Sequence, residues 1–242
     1  MKSKIISYVG KRKTNQDRIL AEKIDTDSHL YLVADGMGGY DNGDIAATMV
    51  IESLTTFLSN STQFNKEVID KAINKANLAL RQYQERHQSK LGSTVGGVLV
   101  TGKTAKIFWV GDVKILHYSN GKLSFESKSH NLSSELSETD NLNSSKYNHI
   151  VTRSIQGNVK KSLPSYQELI LNKRDQLFIC SDGVHNIIDP NTLQFLLNNE
   201  DSTDSLIATI DQRLKKEARD NASLILIEGF DQCELGKDIS FK

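Results

Sequence analysis

The spacing of hydrophobic positions along the chain changes character several times. Residues 3–9 read as a strand, and residues 19–24 and 29–33 as two more, joined by the turn Asp25-Thr26-Asp27-Ser28. Residues 10–17 form a polar loop between the first two, carrying Lys11, Arg12, Lys13, Asn15 and Asp17. The period then becomes helical. Ala47, Val50, Ile51, Leu54, Phe57 and Leu58 make one apolar stripe, and Ile69, Ala72, Ile73, Ala76, Leu80 and Tyr83 make a second. Asp41, Asn42 or Asp44 is placed to cap the first helix, and the second begins near Asn65. Both stripes are core faces. Short apolar runs return at 93–100, 105–110 and 114–118, with Gly102-Lys103 and Asn120-Gly121 as hairpin turn signals. Trp109 sits in one of these strands as a core residue. Residues 127–149 are polar and weakly patterned and read as a small flap, after which strands resume at Ile150, with 168–171 and 176–180 as further strands. Helices near 190–198 and 203–218 and a last strand at 222–227 follow, and the tail from Gly229 is expected to be loosely held.

Strands joined mostly by hairpins, with one helix pair early and another late, predict an antiparallel α+β architecture rather than a βαβ fold. Two stacked sheets with helices outside accommodate every element in a single domain over 1–242. Lysine and arginine number 30 and aspartate and glutamate 30, giving zero net charge. That balance argues against nucleic acid or an anionic membrane as the main partner. No apolar run approaches the roughly 20 residues that span a bilayer, and the N-terminus lacks the apolar core of a signal peptide. The two cysteines, Cys180 and Cys233, make no disulfide framework, which fits a reducing, cytoplasmic setting. Cys180, inside an apolar run, is expected to be a buried thiol.

Candidate chemistry lies at the strand ends. The predicted strand at 29–33 runs into Asp35-Gly36-Met37-Gly38-Gly39, a carboxylate followed by backbone that can approach a ligand closely. A local polar turn explains this stretch equally well on its own. Three more acids occupy comparable places: Asp112 after Gly111, Asp182 between Ser181 and Gly183, and Asp220 before Asn221. If the four converge, two carboxylates 4 Å apart repel by roughly 4 kcal/mol at an effective dielectric of 20. Divalent cations relieve that cost. With no matching histidine or cysteine cluster zinc is disfavoured, and Mg²⁺ or Mn²⁺ suits the oxygen donors. A phosphate ester would then call for an arginine fork, and Arg12 is the candidate in the N-terminal loop.

Taken together, Arg12-Lys13-Thr14-Asn15-Gln16-Asp17, Asp35-Gly36-Met37-Gly38-Gly39, Gly92-Ser93-Thr94, Gly111-Asp112, Ser181-Asp182-Gly183 and Asp220-Asn221 resemble the metal-dependent protein phosphatases (PPM, the protein phosphatase 2C type) in their bacterial stand-alone form. The resemblance covers residues 3 to 228. It implies an α/β/β/α four-layer β-sandwich and an enzyme acting on phosphoserine and phosphothreonine in proteins, opposite a serine/threonine kinase. It implies two Mn²⁺ or Mg²⁺ ions bridged by Asp35, with the Gly36 carbonyl on the first and Asp182 and Asp220 on the second. Arg12 then binds the substrate phosphate, Asp17 acts from behind the metal ligands, and Asp112 helps hold a weaker third ion. A hydroxide bridged by the two ions attacks phosphorus directly, without a phosphoenzyme.

The chain departs from the family pattern at Val113-Lys114, where Ser-Arg is usual, at Ser129-His130-Asn131, where Asp-His-Ser is common, and at Asn186, where an acid is frequent. These changes weaken the expected third site. Met37 stands where some relatives carry a histidine proton donor. The histidines show no ligand spacing and are expected to be structural or solvent-facing. Two other readings stay open: a phosphatase-like binding module with impaired catalysis, and a phosphatase of small phosphoesters, since specificity lies in the flap and surface loops.

Overall fold

A computed structural model describes residues 1–37, 42–136, 147 and 150–230. The expectations for Gly38, Gly39, Asp41, most of the flap, His149, Cys233 and the tail past residue 230 lie outside the described residues. The first half of the fold runs β1 (Lys2–Tyr8), β2 (Asp17–Lys23), β3 (Ser28–Asp35), α1 (Gly43–Ser59), α2 (Lys66–His87), β4 (Val95–Thr101), β5 (Thr104–Val110), β6 (Lys114–Ser119) and β7 (Lys122–Glu126). The rest comprises α3 (Leu132–Leu136), β8 (Ser165–Ile170), β9 (Gln176–Cys180), α4 (Asp182–His185), α5 (Pro190–Asn199), α6 (Thr203–Glu217) and β10 (Ala222–Glu228). The strands form two five-stranded sheets ordered β1-β10-β9-β6-β7 and β2-β3-β4-β5-β8, antiparallel throughout.

Strand alternation builds the layers. Leu30, Leu32 and Ala34 of β3 pack with the apolar stripes of α1 and α2, while Tyr31 and Val33 face the space between the sheets. In β10, Leu224 and Leu226 join α6, whereas Ile225 and Ile227 join Tyr31 and Val33 in the middle. The result is an α/β/β/α stack with three hydrophobic layers, the predicted α+β sandwich. Trp109 and Cys180 are both core residues. No helix of the described residues is long and apolar enough to cross a membrane.

Several boundaries differ from the sequence expectation. Residues 150–164 are not a strand. Their amide hydrogens go to scattered partners: Thr152 to the His130 carbonyl at 2.9 Å, Ser154 to Lys161 at 2.8 Å and Ile155 to Ser93 at 2.8 Å. Gly157 at φ +81° and a 3₁₀ turn at Val159–Lys161 break the path, and β8 begins only after Pro164. The strand expected at 168–171 therefore starts earlier, at Ser165. Asp17 opens β2 instead of ending the loop. Asn42 holds the N-cap position of α1 but makes no capping bond, while Asn65 caps α2 by accepting from the Val68 N–H.

One buried side chain fastens the irregular segment. Asn77 of α2 accepts the Gly157 N–H at 3.1 Å and bonds to the Ser162 hydroxyl. Replacing Asn77 by leucine leaves those groups unpaired, which costs about 1–3 kcal/mol. A lower urea midpoint at unchanged slope is the expected outcome, and an unchanged midpoint would refute the anchoring role. At the N-terminus of α5, Asp189 accepts from the amides of Asn191 at 2.9 Å and Thr192 at 3.1 Å. Its carboxyl lies below the ordinary carboxylate range, chiefly through the Thr192 hydroxyl hydrogen bond. A depressed value in the folded state contributes stability above the ordinary carboxylate pKa that is lost as pH falls through the folded one. Asp189→Ala is expected to cost about 1 kcal/mol at neutral pH. The gap between the two proteins should narrow in urea titrations at about pH 3, below the ordinary value.

Candidate active site

Antiparallel pairing delivers the acids to one place. Asp35 is the last residue of β3, Asp112 lies in the β5–β6 turn, Asp182 opens α4 directly after β9, and Asp220 lies between α6 and β10. These four, with Arg12 and Gly36, line a cleft of about 620 Å³. Asp17 is buried behind it, the register partner of Asp35 across the β2–β3 pair. Met37 lines the cleft, as do Ile150 and Val151 from the chain leaving the flap. Asn186 lies instead along an adjacent pocket of about 700 Å³ that shares Asp220 with the cleft.

Backbone bonds fix the first strand end. The Asp35 carbonyl accepts the Thr94 N–H and the Ser93 hydroxyl, both at 2.9 Å, and the Met37 N–H donates to the Gly92 carbonyl at 3.0 Å. Gly92-Ser93-Thr94 is therefore the clamp on Asp35. At Gly36 an added Cβ would stand 2.1 Å from the Gly43 carbonyl oxygen. Gly36 is not among the residues at positive φ, so close approach and not backbone handedness demands glycine there.

Four side chains whose roles the sequence did not reveal hold the remaining acids. Ser181 donates to Asp17 Oδ2 at 2.9 Å and accepts the Ser223 N–H at 2.9 Å. Asn221 accepts the Gln16 N–H at 2.9 Å and donates to the carbonyls of Val9 at 2.8 Å and Thr14 at 3.0 Å, stitching the Arg12 loop to the start of β10. His130 Nδ1 accepts the Gly111 N–H at 3.1 Å, with its ring stacked on Trp109. His185 Nε2 donates to the Asp112 carbonyl at 3.0 Å. Burial pushes the pKa of each of these two histidines down to about 4, so both are neutral at physiological pH. The only signal for Ser181 and Asn221 was their position beside Asp182 and Asp220.

The electrostatics are those of crowded anions. Burial, then Asp17, Asp182, Asp112 and Asp220, hold the Asp35 carboxyl well above the ordinary range. Burial raises Asp17 to about 6, against the Ser223 and Ser181 hydroxyls that favour its ionised form. Burial, then Asp182, raises Asp112 to about 7. Asp182 is raised by burial and Asp220, with the Gly183 N–H and Arg12 opposing. Arg12 is the only cation among the described residues lining the cleft, and its guanidinium meets Asp220 Oδ2 at 2.6 Å.

This donor set fits divalent cations. The lining carboxylates are hard oxygen ligands, no imidazole or thiolate is among the described lining residues, and a bound cation would reverse the rise in carboxyl pKa. Asp17 Oδ1 is buried without a hydrogen-bond partner, an orphaned acceptor on the residue paired with Asp35 across the β2–β3 ladder. Among the described residues no three histidine, cysteine, aspartate or glutamate side chains stand close enough together, as they are placed, to hold a metal ion.

The chain is 24% identical over 225 residues to the serine/threonine phosphatase stp of Listeria monocytogenes, an alignment covering 87% of this chain and 88% of that one. The fold matches the Streptococcus agalactiae serine/threonine phosphatase with a TM-score of 0.84 at 22% identity, over 94% of this chain and 98% of that one. It also matches the catalytic domain of the serine/threonine protein phosphatase PstP, solved in complex with two manganese ions, with a TM-score of 0.79 at 21% identity, over 93% and 96% of the two chains. The family profile described as protein phosphatase 2C matches residues 7–225, a span that runs from β1 into β10 and contains every acid of the cleft together with Arg12, and the chain belongs to that family.

Proposed function

We propose that this chain is a metal-dependent phosphatase of phosphoserine and phosphothreonine in proteins, acting in the cytoplasm opposite a serine/threonine kinase. The observation that carries the reading is that Asp35, Asp112, Asp182 and Asp220, from four separate places in the chain, line one cleft together with Arg12. Membership of the protein phosphatase 2C family supports the substrate class, and a buried free thiol at Cys180 fits a reducing compartment. One catalytic domain with a flap at about 127–149 accounts for the whole chain on this reading.

Two bound Mn²⁺ or Mg²⁺ ions would supply Lewis acidity toward the phosphoryl oxygens and lower the pKa of water at this site. Asp35, with the Gly36 carbonyl, and Asp182 and Asp220 are the proposed ligands, and Asp112 contributes to a weaker third site. Asp17 stands behind Asp35 and supports it from the neighbouring strand. Arg12 exchanges its bond to Asp220 for the substrate phosphate, whose oxygens match the planar guanidinium. Met37 offers no proton, so the leaving hydroxyl takes its proton from another source.

The direct test is Mn²⁺-dependent phosphate release from a phosphothreonine peptide, with Asp35→Asn as the inactive control. Activity should vanish with excess chelator and return with Mn²⁺; full activity after metal stripping would sink the metal dependence. Asp220→Asn should weaken Mn²⁺ binding in calorimetric titration while thermal unfolding of the metal-free protein shows an intact fold. For Arg12→Ala, loss of a charged hydrogen bond worth about 1.5–3 kcal/mol corresponds to a roughly tenfold to hundredfold rise in KM. Steady-state kinetics matching the parent would count against phosphate binding by Arg12.

A further inference from the structure

Beside the carboxylate cleft lies the second pocket, of about 700 Å³, between the Arg12 loop, the chain after α4 and the C-terminal end of α6. Its charge is opposite. Lys11, Arg213, Lys216 and Arg219 line it, together with Glu217 and Asp220. Both acids are already engaged: Glu217 with Arg213 at 3.6 Å and Asp220 with Arg12 at 2.6 Å. Lys11, Lys216 and Arg219 have no carboxylate partner among the described residues and are exposed. On a chain of zero net charge, three unpaired cations in one concavity mark a local anion-attracting field. Lys216 also suits the negative end of the α6 dipole. Lys11 and Arg219 lie outside that helix and have no such reason to be there.

The pocket and the cleft share a rigid wall. The Lys11 N–H donates to the Arg219 carbonyl at 3.2 Å. Gly10, at φ +62°, lies so close to this wall that an added Cβ would stand 2.2 Å from the Asp220 carbonyl oxygen. Lys11 follows directly on this contact, and Arg12, on the cleft side, directly on Lys11. An extended peptide advances about 3.3 Å per residue, and the cleft that Arg12 lines meets the basic pocket at the shared residue Asp220.

We propose that this basic pocket receives an anionic side chain of the substrate, a glutamate, an aspartate or a second phosphoresidue, within a few positions of the phosphate being removed. The assignment rests on the phosphoprotein phosphatase reading and adds a specificity determinant to it. The free pocket cations supply long-range attraction and a charged contact, and the walls around Asn186 and Ile187 are neutral.

The test uses the full chain with Mn²⁺ and a set of phosphothreonine peptides. Each carries alanine, glutamate, lysine or a second phosphothreonine at one position up to four residues on either side. At the favoured position the glutamate peptide should exceed the alanine peptide in kcat/KM by about fivefold, the scale of an exposed charge pair, and the advantage should shrink as salt is raised. A larger gain with the second phosphothreonine would identify a doubly phosphorylated substrate, and equal gains an acidic one. In the K216E/R219E double variant the glutamate-to-alanine ratio should fall to one or below, and the lysine peptide should become the better substrate. That ratio is insensitive to a general loss of activity. Equal turnover of all peptides by the parent, or the same ratio in the double variant, overturns the pocket while leaving the phosphatase reading intact. Absence of turnover for every peptide overturns that reading and the pocket with it.

Discussion

Mutual repulsion of carboxylates is the constraint around which this molecule is arranged. The sandwich brings Asp35, Asp112, Asp182 and Asp220 to one cleft and buries Asp17 behind it, with Arg12 as the cation at the rim. Left to themselves these groups would turn away or take up protons. Bonds that have nothing to do with charge fix three of the chain segments that carry them. The Asp35 carbonyl is clamped by Ser93 and Thr94, the Asp112 carbonyl by His185, and the chain at Asp220 is stitched to the N-terminal loop through Asn221. Burial first and the neighbouring carboxylates second raise the pKa values of Asp35 and Asp112, and a divalent cation is suited to relieve both costs.

The scaffold withstands this because both faces of its central strands are buried. β3 and β10 each feed two hydrophobic layers, with alternate residues directed to the helices and to the opposite sheet. Such doubly buried strands resist small displacements, since shifting one would misalign two packed faces at once. The acids sit at the ends of these strands, or one or two residues beyond, where rigidity is inherited from the core while the carboxylates still reach solvent.

Much of this was legible in the sequence because the informative signals are local. Residues 177–180 form an uninterrupted apolar run, and the strand read at 176–180 becomes β9 with the expected bounds. The two helical stripes likewise land on α1 and α2. The acids of the cleft were visible as Asp-Gly, Gly-Asp and Asp-Asn steps at strand ends. What escaped depends on partners distant in the chain. Gln16 and Asn221 are 205 residues apart, and Asn77 and Ser162 are 85 apart, so nothing in the local spacing distinguishes those asparagines from solvent-facing ones. Residues 150–155 misled for the opposite reason. Their apolar character looked like a strand, whereas Ile150 and Val151 line the cleft and Ile155 packs into the core beside Ser93.

The order of strands in the first sheet gives the chain a peculiar history. β1, made from residues 2–8, has a single neighbour, β10, made from residues 222–228, and β10 also separates β1 from β9. A nascent chain emerging from the ribosome therefore carries β1 unpaired until residues 222–228 have been made. The second sheet and its two helices, by contrast, are complete at β8. The loop closed by the β1–β10 ladder is among the longest the chain can form, and such non-local closures slow folding. Arg12 and Asp220 lie on either side of that same seam, so their ion pair at the edge of the cleft comes into existence only with β10. A ribosome-bound fragment lacking that strand lacks this edge of the carboxylate cleft as well, so the cleft closes only when the two sheets are both complete.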